Sequence, residues 1–185
     1  MAEYIGIKGF TIQSLASDPY ASEALAGTWA SGGTMNTARG GLSAAGSAPQ
    51  TAALAFAGSL PGDSALTETY NGTAWSEVND LNTARRNLGG AGSVQTAGLA
   101  FGGYDGSNNN ESEEYNGTSW AEGNNLNTAR RELTGCGTQT AGFAFAGQVT
   151  THSALSETYD GTSWTEVNPL NTARSEDPGG MGTQT

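Results

Sequence analysis

A four-residue motif, Asn-Thr-Ala-Arg, occurs four times at nearly constant intervals along this chain of 185 residues. Its arginines are Arg39, Arg85, Arg130 and Arg174, which are separated by 46, 45 and 44 residues. A Trp precedes each Arg by ten residues, at Trp29, Trp75, Trp120 and Trp164. Self-similarity at this period predicts an array in which one supersecondary unit is repeated and each unit packs against its neighbours.

Each repeat is expected to contain four short β-strands. In the second complete repeat, the Gly- and Ala-rich residues 88–94 form the first strand. Residues 96–101 form the second, where Leu99 and Phe101 have the period-two spacing that places both on one face. The third strand ends at Tyr115, and Trp120 opens the fourth.

The dipeptide Asn116-Gly117 lies between the third and fourth strands, and Asn71-Gly72 and Asp160-Gly161 recur at the same place. We predict a type I′ hairpin turn there, with positive φ at both residues. The distance from each motif Arg to the following Gln (Gln50, Gln95 and Gln139) changes through 11, 10 and 9 residues. We therefore expect the tip of the first hairpin to absorb the length changes.

Composition restricts the classes of function. Eighteen acidic residues against seven basic ones give a formal net charge of −11, and Lys8 is the single lysine. No basic stripe is available for a phosphate backbone, so we expect no nucleic-acid partner. One Cys (Cys136) and one His (His152) exclude an internal disulfide and a two-imidazole site, and we expect no metal and no cofactor. We expect neither a membrane span nor a signal peptide.

Four-stranded units at this period favour a radial array of sheets over a sandwich. We predict an all-β chain with three complete repeats plus a split or partial one. The boundaries are 24–35 (partial), 36–81, 82–126, 127–170 and 171–185 (partial).

The repeat resembles the kelch repeat. The likeness rests on a first strand after a basic residue, a Phe-Gly-Gly or Phe-Ala-Gly near the second strand, and Glu-x-Tyr-[Asn/Asp]-Gly-Thr-x-Trp, as in residues 157–164. It covers about residues 24–185 and departs from the kelch glycine doublet at Ala57-Gly58 and Ala146-Gly147. The resemblance implies a β-propeller of four-stranded antiparallel blades.

Residues 1–23 stand outside the repeats and are expected to serve in attachment or closure. Residues 27–29 look like the last strand of one blade, and residues 175–185 like the first strand of another. Three explanations remain open: residues 4–15 supply the missing strands, the chain is part of a longer propeller, or copies close a ring together. An unclosed edge invites pairing with another chain, so we expect a homo-oligomer.

The repeats contain Tyr-[Asn/Asp]-Gly-Thr-Ser-Trp followed by Asn-Thr-Ala-Arg and Gln-Thr-Ala-Gly-x-Ala-Phe. In these motifs, and in residues 5–12, the chain resembles kelch-like proteins encoded by bacteriophages of aquatic bacteria. That resemblance implies a virion protein of a tail, fibre or capsid decoration, made in the host cytoplasm. Its expected partners are virion proteins, further copies of itself and host-surface glycans. The alternative is a carbohydrate-binding propeller that recognises a receptor.

Residues that recur in every repeat are expected to hold the scaffold. The aromatic residues are the four Trp named above together with Tyr70, Tyr115 and Tyr159, and we favour packing between blades over sugar stacking. One Glu lies two residues before each Tyr, at Glu68, Glu113 and Glu157. We favour buried pairs between these carboxylates and the motif Arg residues over an anion site.

The segments between the second and third strands differ while their flanks repeat: residues 59–65, 104–110 and 148–153. Their ligand-contact candidates are Tyr104, Asp105, Asn108 and His152, against the alternative of solvated loops free to drift. Residues 105–110 superficially resemble a calcium loop, but Gly106 and Glu111 are misplaced for one.

No nucleophile–base pair, catalytic carboxylate pair or metal cluster recurs, so we expect a non-enzymatic protein. Glycan hydrolysis through Asp63, Asp105 or Glu111 is an alternative without a supporting pattern.

Overall fold

The computed structural model describes residues 31–45 and 50–176, and apart from Ser31 these belong to a compact unit that spans Gly32–Thr185. The predictions for Trp29, for residues 1–23 and for residues 177–185 lie outside the described residues. The strands are β1 (Ser43–Ala44), β2 (Ala53–Phe56), β3 (Ser59–Leu60), β4 (Gly62–Asp63), β5 (Thr67–Tyr70), β6 (Trp75–Val78), β7 (Gly89–Val94), β8 (Ala97–Phe101), β9 (Ser112–Tyr115), β10 (Trp120–Glu122), β11 (Thr134–Thr138), β12 (Ala141–Phe145), β13 (Ser156–Tyr159) and β14 (Trp164–Val167).

Three four-stranded antiparallel sheets contain most of these strands. Sheet I has the order β1-β2-β5-β6, sheet II β7-β8-β9-β10 and sheet III β11-β12-β13-β14, while β3 and β4 form a separate small hairpin. Each sheet begins shortly after one Asn-Thr-Ala-Arg motif. The predicted all-β chain with four-stranded antiparallel repeats is confirmed for the described residues, which contain no helix and so none that is long and apolar enough to cross a membrane.

The first strands of neighbouring sheets approach each other closely because their side chains are small. β7 contacts both β1 and β11. A Cβ atom added to Gly135 would lie 2.5 Å from the carbonyl oxygen of Gly90, and one added to Gly90 would lie 2.6 Å from that of Ala44. Since these distances leave no room for a side chain, the Gly- and Ala-rich stretches are what allow the sheets to pack.

Each later sheet is joined to the one before it by the same aromatic contact. Trp120 of sheet II packs edge-on against Phe56 of sheet I, and Trp164 of sheet III packs likewise against Phe101, both with ring centroids 4.9 Å apart. The indole N–H of Trp120 donates to Thr67 Oγ1 at 3.1 Å. Buried aromatic rings with a satisfied N–H contribute large apolar area without an unpaired polar group.

Sheets I and II each bind the Trp of the sheet that follows. In the described part of the chain, the equivalent surface of sheet III makes no such contact. Ser156 stands where Thr67 and Ser112 accept an indole N–H, and its buried Oγ has no hydrogen-bond partner there. Arg174 is exposed, although the equivalent Arg85 and Arg130 are fully buried. The contact between sheets is therefore made twice and is left open at sheet III within these residues.

The turn between the third and fourth strands differs from the predicted type I′ turn. Tyr115 pairs with Trp120, so the loop has four residues, 116–119. Gly117 has a positive φ of 90°, but Asn116 does not, and its Oδ1 accepts N–H bonds from Thr118 and Ser119, both at 2.9 Å. The prediction was wrong because the Asn side chain closes the turn in place of a second left-handed residue. Pairing of Tyr70 with Trp75 and of Tyr159 with Trp164 gives loops of the same length.

The length difference between the second and third repeats lies within a strand, and the prediction that it lies at the hairpin tip was wrong. Residues 95–96 and 139–140 are both two-residue tips, flanked by the pairs Val94–Ala97 and Thr138–Ala141. The register of β7 against β8 shifts between Ala91 and Val94, whereas β11 pairs without a shift. The extra residue of the second repeat is therefore accommodated by a β-bulge in β7. Both hairpin tips keep two residues.

Candidate functional site

The loops between the second and third strands of the sheets are held by three recurring backbone hydrogen bonds. In sheet II, Gly103 N donates to Arg130 O at 2.9 Å, Asn109 N to Gly103 O at 2.9 Å, and Arg130 N to Asn109 O at 3.1 Å. The same bonds join Gly58, Ser64 and Arg85 in sheet I, and Gly147, Ser153 and Arg174 in sheet III. Since these bonds involve only main-chain groups, they place no demand on the side chains that the loops carry.

Three of the motif arginines form buried ion pairs with the recurring glutamates. The Nη1–Oε1 distances are 2.7 Å for Arg39–Glu68, 2.8 Å for Arg85–Glu113 and 2.8 Å for Arg130–Glu157, and all six side chains are fully buried. The backbone of Arg85 is bonded to sheet I and its side chain to sheet II. The Arg85–Glu113 and Arg130–Glu157 pairs therefore each link two consecutive sheets, and all three buried arginines are unavailable to a ligand.

The carboxylates in these pairs also accept hydrogen bonds from the motif backbone. Glu113 Oε2 accepts from Asn82 N at 2.7 Å, and Glu157 Oε2 from Asn127 N at 2.8 Å. Burial lowers the pKa of Arg130, whereas the Glu157 carboxylate acts to raise it. Among the described residues, the Nε and Nη2 groups of Arg39, Arg85 and Arg130 have no hydrogen-bond partner.

The recurring aromatic residues also lie in the scaffold. Tyr115, Trp120, Tyr159 and Trp164 are buried, while Tyr70 and Trp75 of sheet I are half-buried. The hydroxyl of Tyr159 donates to Glu114 Oε1 of sheet II at 2.5 Å, and burial together with that carboxylate raises the pKa of Tyr159. Sugar stacking on the buried rings has no room in this arrangement.

Residues 59–63, 104–108 and 148–152 form adjacent turns, which we call the loop face. Each turn is closed by a pair: Ser59 with Asp63, Tyr104 with Asn108, and Gln148 with His152. Arg86 is ion-paired with Asp63 and also pairs with Tyr104 through its backbone. The loops of sheets I and II are thereby tied to one another through Arg86, and Arg131 joins the loops of sheets II and III in the same way, through Asn108 and Gln148.

Asn108 lies between two loops and does not point freely into solvent. Its Nδ2 donates to the carbonyl oxygens of Gln148 at 3.1 Å and Val149 at 2.6 Å, and its Oδ1 accepts from Arg131 Nη1 at 2.9 Å. These three bonds join the second loop to the third. Asn108 thus positions the loops, a role that sequence reasoning did not assign to it.

Asp105 is engaged within its own loop. Its carboxylate accepts hydrogen bonds from Asn109 Nδ2 at 3.1 Å and from Ser107 N at 3.3 Å. Burial acts to raise the pKa of Asp105, but these hydrogen bonds outweigh it and lower the pKa below its ordinary value. Across residues 31–45 and 50–176, no three His, Cys, Asp or Glu side chains cluster as metal ligands would.

His152 lies one sheet away from Tyr104, at the position of Asn108 in the next repeat. Its Nδ1 is 2.7 Å from Ser175 Oγ, and the side chain is exposed. The structure therefore brings Tyr104, Asp105 and Asn108 into one loop and places His152 in the next. The carboxylates considered for hydrolysis are engaged separately, since Asp63 pairs with Arg86 and Glu111 lies 3.4 Å from Arg85.

An open cavity of about 280 Å³ lies beside Tyr104, lined by Arg86, Asn87, Tyr104, Arg131 and Glu132. The guanidinium carbons of Arg86 and Arg131 lie 4.8 and 5.1 Å from the centre of the Tyr104 ring, which is cation–π distance. Sequence reasoning missed both arginines. The available signal was the Arg-Arg doublet at 85–86 and 130–131, where the other two motifs have Arg39-Gly40 and Arg174-Ser175.

Two cavity residues have an unusual backbone conformation. Asn87 and Glu132 both have φ of 54°, which lies in the left-handed region, and Gly41 occupies the equivalent position with φ of 57°. They are linked in series, because Asn87 N donates to Gly41 O and Glu132 N donates to Asn87 O, at 2.8 and 2.7 Å. A left-handed non-glycine residue costs about 1 kcal/mol or more and is often found at functional sites.

No model of a protein family matches the chain, and no curated protein matches it in sequence.

Proposed function

We propose that this chain is a non-enzymatic structural and adhesion module of a bacteriophage virion, in which kelch-like blades of a β-propeller present the loop face to a ligand. The observation that carries the proposal is the contrast between a constant frame and varied contents. The three loops share the same backbone hydrogen bonds. Their sequences, Ser-Leu-Pro-Gly-Asp, Tyr-Asp-Gly-Ser-Asn and Gln-Val-Thr-Thr-His, differ at all five positions. A scaffold that varies one surface on a fixed frame is suited to recognition.

Self-association is part of the proposal. Sheet III carries the serine and arginine that bind the next sheet elsewhere in the chain, and both lack that contact among the described residues. Surfaces of this kind favour assembly with a complementary chain. Light scattering of the purified chain is expected to give a defined multiple of 18.8 kDa. A stable monomer at all concentrations would overturn this part of the proposal.

The virion location rests on the resemblance of the repeats to phage kelch-like proteins and is tested directly. Extracellular particles would be purified from a culture of cells that carry the gene for this chain. They would then be labelled with a gold-conjugated antibody raised against the chain. Labelling on tails, fibres or capsids is the expected result. Label confined to cell debris, with unlabelled particles, would contradict the proposal.

A second candidate, recognition of a carbohydrate receptor, is favoured by the cavity beside Tyr104. Its lining combines guanidinium, amide, phenol and carboxylate groups, and polar and aromatic groups of these kinds orient ligands in binding sites. The two candidates are compatible, since a virion protein can also bind a host glycan. Binding of soluble saccharides separates them, because the structural role needs no such ligand.

A further inference from the structure

Among the described residues of this strongly acidic chain, the cavity brings together two of the three accessible arginines. Of the six arginines in the described residues, Arg39, Arg85 and Arg130 are buried in pairs with glutamate. Arg86, Arg131 and Arg174 remain at least partly accessible, and two of these three line the cavity. The side chains of Arg86 and Arg131 are 35% and 29% exposed.

Both cavity arginines are held in place and still have donors to spare. Arg86 uses Nη1 for Asp63, and Arg131 uses Nη1 for Asn108 and Nε for Glu132 at 3.4 Å. Within the described residues, neither Nη2 group has a hydrogen-bond partner. Guanidinium groups that are fixed by one neighbour and free on the other side are well suited to binding a carboxylate.

Glu132 narrows the chemistry of the ligand. Arg86 is already ion-paired with Asp63, and Arg131 Nε lies 3.4 Å from Glu132, so each guanidinium can offer its remaining N–H donors to one further carboxylate rather than an unpaired charge. The Glu132 carboxylate can accept hydrogen bonds from hydroxyl groups but repels a doubly charged phosphate. Asn87 and Tyr104 add further groups that can bind hydroxyls. A cavity of about 280 Å³ is also near the lower limit for ligand pockets, which suits one sugar ring.

We infer that the Arg86–Tyr104–Arg131 cavity binds a saccharide residue that carries one carboxylate group, of the uronic-acid type. This inference rests on the binding role proposed above and names its ligand class. The carboxylate accepts hydrogen bonds from the guanidinium groups that line the cavity, and the ring hydroxyls contact Asn87 and Glu132. Asn87 and Glu132 both line the cavity, and their left-handed backbone recurs at Gly41 and Glu176 as a feature of the repeat.

The test is titration of the full chain with the methyl glycosides of glucuronate and galacturonate, followed by ¹⁵N-resolved NMR. Methyl glucoside, methyl galactoside, acetate and inorganic phosphate serve as comparison ligands. We expect saturable binding of at least one uronate in the millimolar range or tighter, with shifts at the backbone amides of Asn87 and Tyr104. Neutral sugars and acetate should bind at least about tenfold more weakly, because the neutral sugars lack the carboxylate and acetate lacks the ring hydroxyls.

Variants identify the site and control for total charge. Arg86→Gln and Arg131→Gln should each weaken uronate binding at least about tenfold, since each removes a charged hydrogen bond to the carboxylate. Arg174→Gln makes the same change in net charge outside the cavity and should leave binding unchanged. Glu132→Gln should raise the affinity for phosphate relative to uronate. Thermal unfolding of each variant verifies that it folds.

Several results would overturn the inference: no uronate binding by the full chain, an equal loss in Arg174→Gln, or tighter binding of phosphate than of uronates. Failure here leaves the virion proposal standing if gold label is found on particles. Conversely, if the chain binds uronates but is absent from particles, the uronate site is supported and the virion proposal is overturned.

Discussion

At the scale of single residues, the buried Arg–Glu pairs have the largest expected effect on stability. Removing one partner of a buried pair is strongly destabilising, because the other charge is left without compensation. Arg85 and Arg174 occupy the same position of the same motif, but Arg85 is fully buried against Glu113 and Arg174 is exposed. They therefore provide a comparison in which the substitution is identical and only the environment differs.

We predict that Arg85→Gln lowers the free energy of unfolding by about 3–5 kcal/mol. The matched variant Arg174→Gln should change it by less than about 0.5 kcal/mol. Chemical denaturation followed by tryptophan fluorescence measures both. Equal losses in the two variants would show that the Arg85–Glu113 contact does not stabilise the fold.

A second residue-scale comparison uses the serines that open the third strands. Ser112 Oγ donates to Asn124 O at 2.6 Å and accepts the Trp164 indole N–H at 3.4 Å, whereas the buried Ser156 Oγ has no partner in the part of the chain that the structure describes. We predict that Ser112→Ala costs about 1–2 kcal/mol of unfolding free energy and that Ser156→Ala costs nothing or stabilises. Thermal or urea unfolding of both variants measures the two changes in unfolding free energy. A larger loss for Ser156→Ala than for Ser112→Ala would contradict the conclusion that the Ser156 hydroxyl makes no contact with a following sheet.

At the scale of elements, residue spacing was sufficient to predict the strands and their order, because four short segments bounded by turn residues recur at one period. It could not predict the turn type, since Asn71, Asn116 and Asp160 close their turns with side-chain oxygens. Nor could it locate the bulge in β7, which depends on how β7 pairs with β8. The cavity was missed for a related reason: Arg86, Tyr104 and Arg131 meet only because consecutive sheets pack side by side.

The turn of sheet III is expected to depend on pH, unlike its two counterparts. Hydrogen bonds from the N–H groups of Ser163 and Thr162 lower the pKa of Asp160. Since the folded pKa lies below the unfolded one, the stabilisation is fully present above the unfolded value of about 3.9 and is lost as pH falls through the folded pKa. The Asn residues at positions 71 and 116 do not titrate.

We therefore predict that Asp160→Asn leaves the turn intact and removes part of the loss of stability that occurs as the pH falls below about 4. Urea unfolding of the variant and the parent chain at a series of pH values gives the comparison. Parallel pH curves for the two proteins would rule out a contribution from this carboxylate.

At the scale of the whole molecule, the net charge of −11 acts against a compact state. The three Arg–Glu pairs are buried and are therefore little affected by salt, whereas repulsion among the exposed acidic residues is screened. Salt should thus stabilise this chain, contrary to the effect it has on proteins held by surface ion pairs.

The expected outcome is a rise in melting temperature by a few degrees between about 10 and 200 mM NaCl, over which the screening length falls from roughly 30 Å to below 10 Å. Differential scanning calorimetry at constant pH measures it. A melting temperature that falls over this range would mean that exposed ion pairs outweigh the repulsion.

The way each loop is tied to the residue after the motif Arg has a consequence for transplanting the cavity. Gln148 occupies in sheet III the position that Tyr104 has in sheet II, with Arg131 on one side and Ser175 on the other. Gln148→Tyr and Ser175→Arg would place an aromatic ring beside two arginines one sheet further along, with Glu132 and Glu176 where the first cavity has Asn87 and Glu132. The backbone of the array can therefore carry a second cavity of this kind, and its additional carboxylate would give it a ligand preference different from that of the first.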